Sequence, residues 1–385
     1  MVHKLRQVCW PSRLANASIK EEPAMRSSCT AFVGLVLVSA FTTVAATPVG
    51  AFAETVLVSS ATDPDLINPW GISLSGGGPF WISDNGTGKS TLYNSAGVKQ
   101  GLVVSMPVGS EAVTGQVFNG TASFHGDAFI FATENGTITG WRGALGTTAE
   151  TLFRVANARY KGVAVSSDKA TLYAANFAGG TIDVFSSAGL VGSFGDTAAP
   201  SGYSPFNVQN LGGKLYVTYA LRGAGGDDVA GAGHGFVKIF DPVSHAFASL
   251  VSQGSLNSPW GLALAPTGFG ALGGDLLVGN FGDGEINAFD AISGTLIGAL
   301  ADMSQTTLFN DGLWGLSFGN GGNGGSKQSL YITAGPNGET GGLFARIDSV
   351  PEPGTLLLVA MPLWRLLRRR PNVRPFKSGG SLQKI

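Results

Sequence analysis

The chain has 385 residues, 58 of them glycine, with 44% apolar and only 13% charged residues. That balance argues against disorder, and short apolar runs punctuated by glycine point instead to strands joined by tight turns. The net charge of −1 hides a division: residues 54–348 carry 12 basic and 22 acidic side chains, a net −10, while both ends are basic; an acidic body excludes nucleic acid as a partner, since phosphate backbones are held by clustered Lys and Arg.

In chain order, residues 1–53 read as a secretory leader. Ala31 to Ala46 is an apolar, small-residue stretch behind Arg26, and Ala51-Phe52-Ala53 before Glu54 fits a processing site. Met25 lies just upstream of Arg26 and is a second candidate start; a retained anchor is the rival reading of the apolar stretch. Cys9 and Cys29 both precede the expected cut, so the body holds neither disulfides nor thiolate metal sites.

From residue 54 the chain repeats. Asn68-Pro69-Trp70-Gly71-Ile72-Ser73 recurs as Ser258-Pro259-Trp260-Gly261-Leu262-Ala263 and Gly312-Leu313-Trp314-Gly315-Leu316-Ser317, with weaker copies around Gly115, Lys161 and Phe206. Each copy precedes a hairpin, such as Leu172-Tyr173-Ala174-Ala175 with Ile182-Asp183-Val184-Phe185, and most end in a further apolar run such as Leu296 to Leu300. Four strands per repeat of about 45–55 residues is the size of a propeller blade. The expected fold is all-β: a six-bladed β-propeller over residues 54–348. The sixth repeat lacks its fourth strand, and Thr55-Val56-Leu57-Val58 supplies it, closing the ring and removing an exposed edge. In the fourth repeat a glycine-rich insertion from Gly223 to Gly235 lengthens the hairpin and reads as a tolerated insertion.

After the body, residues 349–370 combine Val350-Pro351-Glu352-Pro353-Gly354, an apolar run to Leu367 and Arg368-Arg369-Arg370. An apolar segment held in the bilayer with arginines on the cytoplasmic side fits a membrane-sorting element. The run is interrupted by Pro362 and Arg365 and is shorter than the roughly 20 residues a spanning helix needs. Residues 371–385 form a basic tail.

The start of the first strand and the end of the second share one face of a blade. Near the ring axis that face gathers Trp70, Lys161, Phe206, Asn207, Trp260 and Trp314, with Asp84, Glu134, Asn176 and Asn280 from the second strands. Aromatic rings with a few carboxylates and amides suit a carbohydrate or protein ligand. The competing explanation is that the Trp-Gly pairs pack between blades and that Asp and Asn serve turns. No cofactor or metal is expected: the body has His125, His234 and His245 without zinc spacing, and no Gly-x-Ser-x-Gly elbow occurs. A non-catalytic binding module is the first expectation. A lactonase-like hydrolase or lyase acting on sugar derivatives through Asp84 and Glu134 is the alternative.

The blade resembles the NHL type, on Leu172-Tyr173-Ala174-Ala175-Asn176 and Ile286-Asn287-Ala288-Phe289-Asp290. Ser83-Asp84-Asn85-Gly86-Thr87-Gly88, Gly279-Asn280-Phe281-Gly282-Asp283-Gly284 and Asp311-Gly312-Leu313-Trp314-Gly315 look more closely like an uncharacterised family of exported bacterial proteins that often carry a PEP-CTERM sorting tail. That resemblance implies export to the cell envelope or matrix, and processing by an exosortase-type membrane enzyme at the tail built on Pro351, Glu352, Pro353 and Arg368 to Arg370. Gluconolactonase-like propellers place a metal-binding Asn where this chain has Trp70, Trp260 and Trp314, so their metal ring is not expected here.

Overall fold

A computed structural model describes residues 46–351. The leader residues 1–45, the sorting-tail residues Glu352, Pro353 and Arg368 to Arg370, and the tail 371–385 lie outside that range. Within it the chain forms six antiparallel sheets, one per sequence repeat. From the inner to the outer strand, blade one is Pro69–Leu74, Phe80–Asp84, Lys89–Tyr93 and Lys99–Ser105. Blades two to five repeat this order, with inner strands Val113–Phe118, Tyr160–Val165, Tyr203–Leu211 and Pro259–Leu264. Blade six runs Leu313–Phe318, Leu330–Ala334 and Leu343–Ser349, and its fourth strand is Phe52–Ser59 from the other end of the body. The pairing Thr55 with Arg346, Val56 with Ala345 and Val58 with Phe344 closes the ring as expected. Among the described residues no helix is long and apolar enough to cross a membrane.

Strand alternation explains how the blades stack. Side chains of one blade face project into its neighbour, so the described residues form six hydrophobic clusters, one between each adjacent pair of blades. The last pair shows the closure: Val58, Tyr331 and Phe344 of blade six pack on Phe80, Ile82 and Tyr93 of blade one. A seventh cluster sits on the ring axis.

The inner strands share one irregularity. Each slips register against its partner near its start: between Pro69 and Ile72, Val113 and Gln116, Tyr160 and Gly162, Pro205 and Asn207, Pro259 and Gly261, and Leu313 and Leu316. Such a bulge re-aims the side chain it contains. The bulged positions include Trp70, Gly115, Lys161, Phe206, Trp260 and Trp314, the column that the sequence repeats set in register. The residue after each, or Gly115 itself in blade two, is where neighbouring inner strands come closest. A Cβ on Gly315 would lie 2.6 Å from the Trp70 carbonyl oxygen, and one on Gly162 would lie 1.9 Å from Asn207 Oδ1. The Trp-Gly motif thus encodes both a ring aimed at the axis and the absence of a side chain where two strands touch. In blade four Asn207 takes the glycine's place, and its Nδ2 donates to the Trp260 carbonyl at 2.8 Å, bridging to blade five.

One element was not expected. Pro48–Val49 pairs parallel to Leu296–Leu300 and gives blade five a fifth, outermost strand.

Candidate functional site

The bulges bring Trp70, Phe206, Trp260 and Trp314 together on the axis, joined by Phe177 and Phe281. Trp70 and Trp314 stack with ring centroids 3.6 Å apart, and Phe281 covers the other side of Trp314 at 4.0 Å. Trp260 stands edge-on to both, at 6.0 and 5.9 Å. Trp314 Nε1 donates to Asn68 Oδ1 at 2.9 Å, and Trp260 Nε1 to the Lys161 carbonyl at 3.0 Å. The three tryptophans are 2%, 4% and 1% exposed, so their faces are spent on one another. This corrects the expectation that they present rings for a ligand to stack on: they form a plug that seals the channel.

A belt of polar groups lies over the plug and runs around the ring. Asn68 Nδ2 donates to Glu339 Oε2 at 2.6 Å, and Asn85 Nδ2 reaches Glu134 Oε2 at 3.4 Å. Glu134 Oε1 meets Lys161 Nζ at 2.5 Å, and Lys161 meets Asp227 Oδ1 at 3.2 Å. Arg159 also holds Asp227, at 3.0 Å. The Lys161 side chain is only 4% exposed and its ammonium lies 5.0 Å from the Trp70 ring centre. A buried ammonium persists where carboxylates and a ring face replace its water. Glu134 therefore pairs with Lys161 rather than with Asp84.

The other second-strand residues do not join them. Asp84 is fully buried inside blade one, where Thr91 Oγ1 donates to its Oδ2 at 2.7 Å, and burial pushes its carboxyl well above the usual range. It has no access to a ligand, so the expected acidic pair of Asp84 with Glu134 is not formed across a cleft. Asn176 Oδ1 accepts from the backbone N–H groups of Arg159 and Gly179 while its Nδ2 donates to Asp183. Asn280 Nδ2 donates to the Ser255 carbonyl. Both amides serve the turns of their own blades.

The sequence motifs missed the rest of the mouth. Phe177 and Phe281 follow Asn176 and Asn280 directly, and that repeated Asn-Phe pair was the legible clue. Asp228 and Glu339 sit in connections of differing length, which repeat spacing does not align, and Asn68 opens the first Trp-Gly motif, where its copies carry Ser258 and Gly312. The blade-four insertion, expected as a tolerated extension, is fastened to both neighbours. Its Asp227 bonds Lys161 and Arg159 of blade three, and the Gly231 N–H donates to Asn257 Oδ1 before blade five at 2.6 Å. Burial raises the Asp228 carboxyl against the opposing pull of Ser258 and Lys161, and raises Glu339 against its bond from Asn68. Among the described residues no group of three or more His, Cys, Asp or Glu is placed to hold a metal ion.

The far end of the channel is different. There the inner strands line a cavity of 350 Å³ with Ile72, Gln116, Val163, Val165, Val208 and Leu316, and the plug residue Trp260 reaches it from the other side. Gln116 Nε2 is engaged by the Gly71 and Trp81 carbonyls, whereas its Oε1 and the Ser73 hydroxyl are buried without partners.

No protein-family model matches the chain. By fold it is similar to a streptogramin B lyase structure, with a TM-score of 0.51 and 10% identity, over 78% of this chain and 98% of that one. It is also similar to virginiamycin B lyase from Staphylococcus aureus, with a TM-score of 0.50 and 11% identity, over 78% and 99%. At such identities the likeness is one of fold alone. By sequence it is 34% identical over 285 residues to uncharacterized protein R648 of Acanthamoeba polyphaga mimivirus, covering 66% of this chain and 69% of that protein. A second uncharacterized mimivirus protein is 29% identical over 293 residues, covering 68% and 75%. These relatives are viral, where the motifs alone pointed to exported bacterial proteins. The chain belongs to the family of the uncharacterized mimivirus protein R648, to which it is 34% identical over 69% of that protein's length.

Proposed function

We propose that the protein is an exported binding propeller whose mouth, above the aromatic plug, receives a carbohydrate or protein ligand. The observation that carries this reading is the sealed channel beneath a polar belt. Glu134, Arg159 and Asp227, in connections between the strands, are tied together through Lys161 by ion pairs at the rim while the rings below close the axis. A polar surface already tied together by ion pairs suits a ligand that lies across it, since little ordering entropy is spent on binding. In this reading the leader exports the chain. The tail containing Pro351, Glu352 and Pro353 sorts it to the cell envelope or matrix, with an exosortase-type enzyme and the membrane as partners.

A second reading is favoured by one feature. Burial holds Asp228 and Glu339 protonated to higher pH than ordinary carboxyls, close to the contacts of Lys161 with Glu134 and Asp227. An acid and a base side by side suit a hydrolase or lyase on a sugar-derived substrate.

The test is a thermal-shift screen of the exported protein against matrix polysaccharides, repeated after Glu134→Ala and Asp227→Ala. Binding weakened about tenfold, or ~1.4 kcal/mol, by either change supports the mouth as the seat. Undiminished binding by both variants removes it. Turnover of a bound polysaccharide, lost in Asp228→Asn or Glu339→Gln, would establish the second reading.

A further inference from the structure

The five residues ahead of the closing strand, Thr47 to Ala51, are bonded into the ring. The Ala299 N–H donates to the Thr47 carbonyl at 2.8 Å, and Pro48 and Val49 pair with Ala299 and Leu300. Gln305 Nε2 donates to the Gly50 carbonyl at 2.9 Å, and the Val350 N–H to that of Ala51 at 2.8 Å. The Phe52 N–H donates to the Ala301 carbonyl at 2.9 Å, and its ring is 2% exposed, stacked on Phe269 at 4.9 Å in the core between blades five and six. A leader cut after Ala53 discards all of this. It would strip the outer strand from blade five and leave a hole where a phenyl ring fills the core.

The sequence offers an earlier site. Ala31 to Phe41 is an 11-residue apolar segment, and Thr42-Thr43-Val44-Ala45-Ala46 follows it with small residues at the end. That order, apolar run then small-residue cut, is the signal-peptide pattern. Ala53 lies twelve residues beyond Phe41, already inside a strand that pairs with Asp348.

We infer that leader processing occurs between Ala46 and Thr47. Water adds across that one amide, leaving a carboxylate on Ala46 and an amine on Thr47, and the mature chain enters the fold with its blade-five strand and Phe52 intact. The inference rests on the export part of the proposed function.

The full-length chain, expressed with its own N-terminus in a secreting bacterial host, tests it by N-terminal sequencing and intact mass of the exported product. The expected first residue is Thr47. Ala46→Gln should slow processing at least tenfold, while Ala53→Gln, at an exposed position, should leave it unchanged. An exported product beginning at Glu54, with sensitivity to Ala53→Gln instead, overturns the site and leaves export standing. An uncut chain retained in the cytoplasm overturns export and the site together.

Discussion

The two ends of the ring axis are framed by the same six inner strands and differ in packing: one is filled with aromatic rings, the other holds a cavity. At the mouth each inner strand bulges, four of the bulges turn an aromatic ring inward, and these with Phe177 and Phe281 fill the axis beside a chain of amides and ion pairs. At the far end the strands regain regular pleat, alternate side chains go to the inter-blade cores, and a 350 Å³ space remains, lined by aliphatic residues such as Ile72 and Val163 and by polar ones such as Gln116, Lys169 and Gln209. One local device, a register slip at the start of each inner strand, thus accompanies the change from a densely filled axis to a hollow one.

Substitutions that load or unload each end should separate them. The largest effect is expected from Trp314→Ala, which empties the centre of the plug; large-to-small changes at such sites cost ~3–5 kcal/mol. Urea unfolding should show the lowered midpoint, and a loss under ~1 kcal/mol would mean that the plug does not hold the ring. Next comes Gly315→Ala, whose Cβ would meet the Trp70 carbonyl backbone; overpacking of this kind costs ~1–3 kcal/mol, and a neutral result would show that inner strands can move apart.

A smaller and pH-dependent effect belongs to Glu339. Burial raises its folded-state pKa, so its stabilising contribution is complete below the unfolded value near 4.5 and is lost as pH rises through the folded one. Glu339→Gln keeps an oxygen for Asn68 and removes the ionisation. Relative to the parent, the variant should therefore gain stability as pH rises from 4.5 toward neutrality; thermal midpoints measured across that interval check the sign, and a variant that loses ground with rising pH contradicts it. The smallest change is expected at the hollow end. Ser73→Ala removes an unpartnered buried hydroxyl, and denaturant midpoints should stay within ~0.5 kcal/mol of the parent.

The architecture was legible because blades repeat and repeats can be counted. Trp70, Trp260 and Trp314 set the register, and Thr55 to Val58 had an obvious vacancy to fill in blade six. The choice of Lys161 and Glu134 as candidates followed from the same alignment. Whether the tryptophans offered their faces or buried them did not, because that depends on contacts between blades 54 or more residues apart in sequence, such as Trp70 with Trp314. Asp84, Asn176 and Asn280 aligned equally well with Glu134, yet each is consumed by a partner in its own blade. Asp228 and Glu339 were hidden because connections of unequal length carry them. The extra strand Pro48–Val49 escaped notice because two residues carry no periodicity, and because they fell within an expected leader.

Hydrogen–deuterium exchange of the exported protein, with and without a polysaccharide found to bind it, tests most directly that the plugged mouth is the working face. The account predicts added protection in the backbone around residues 134–136, 159–161, 226–231 and 337–340, with the hollow end unchanged. Protection confined to residues 163–169 and 208–212 would place the ligand in the opposite cavity and contradict it.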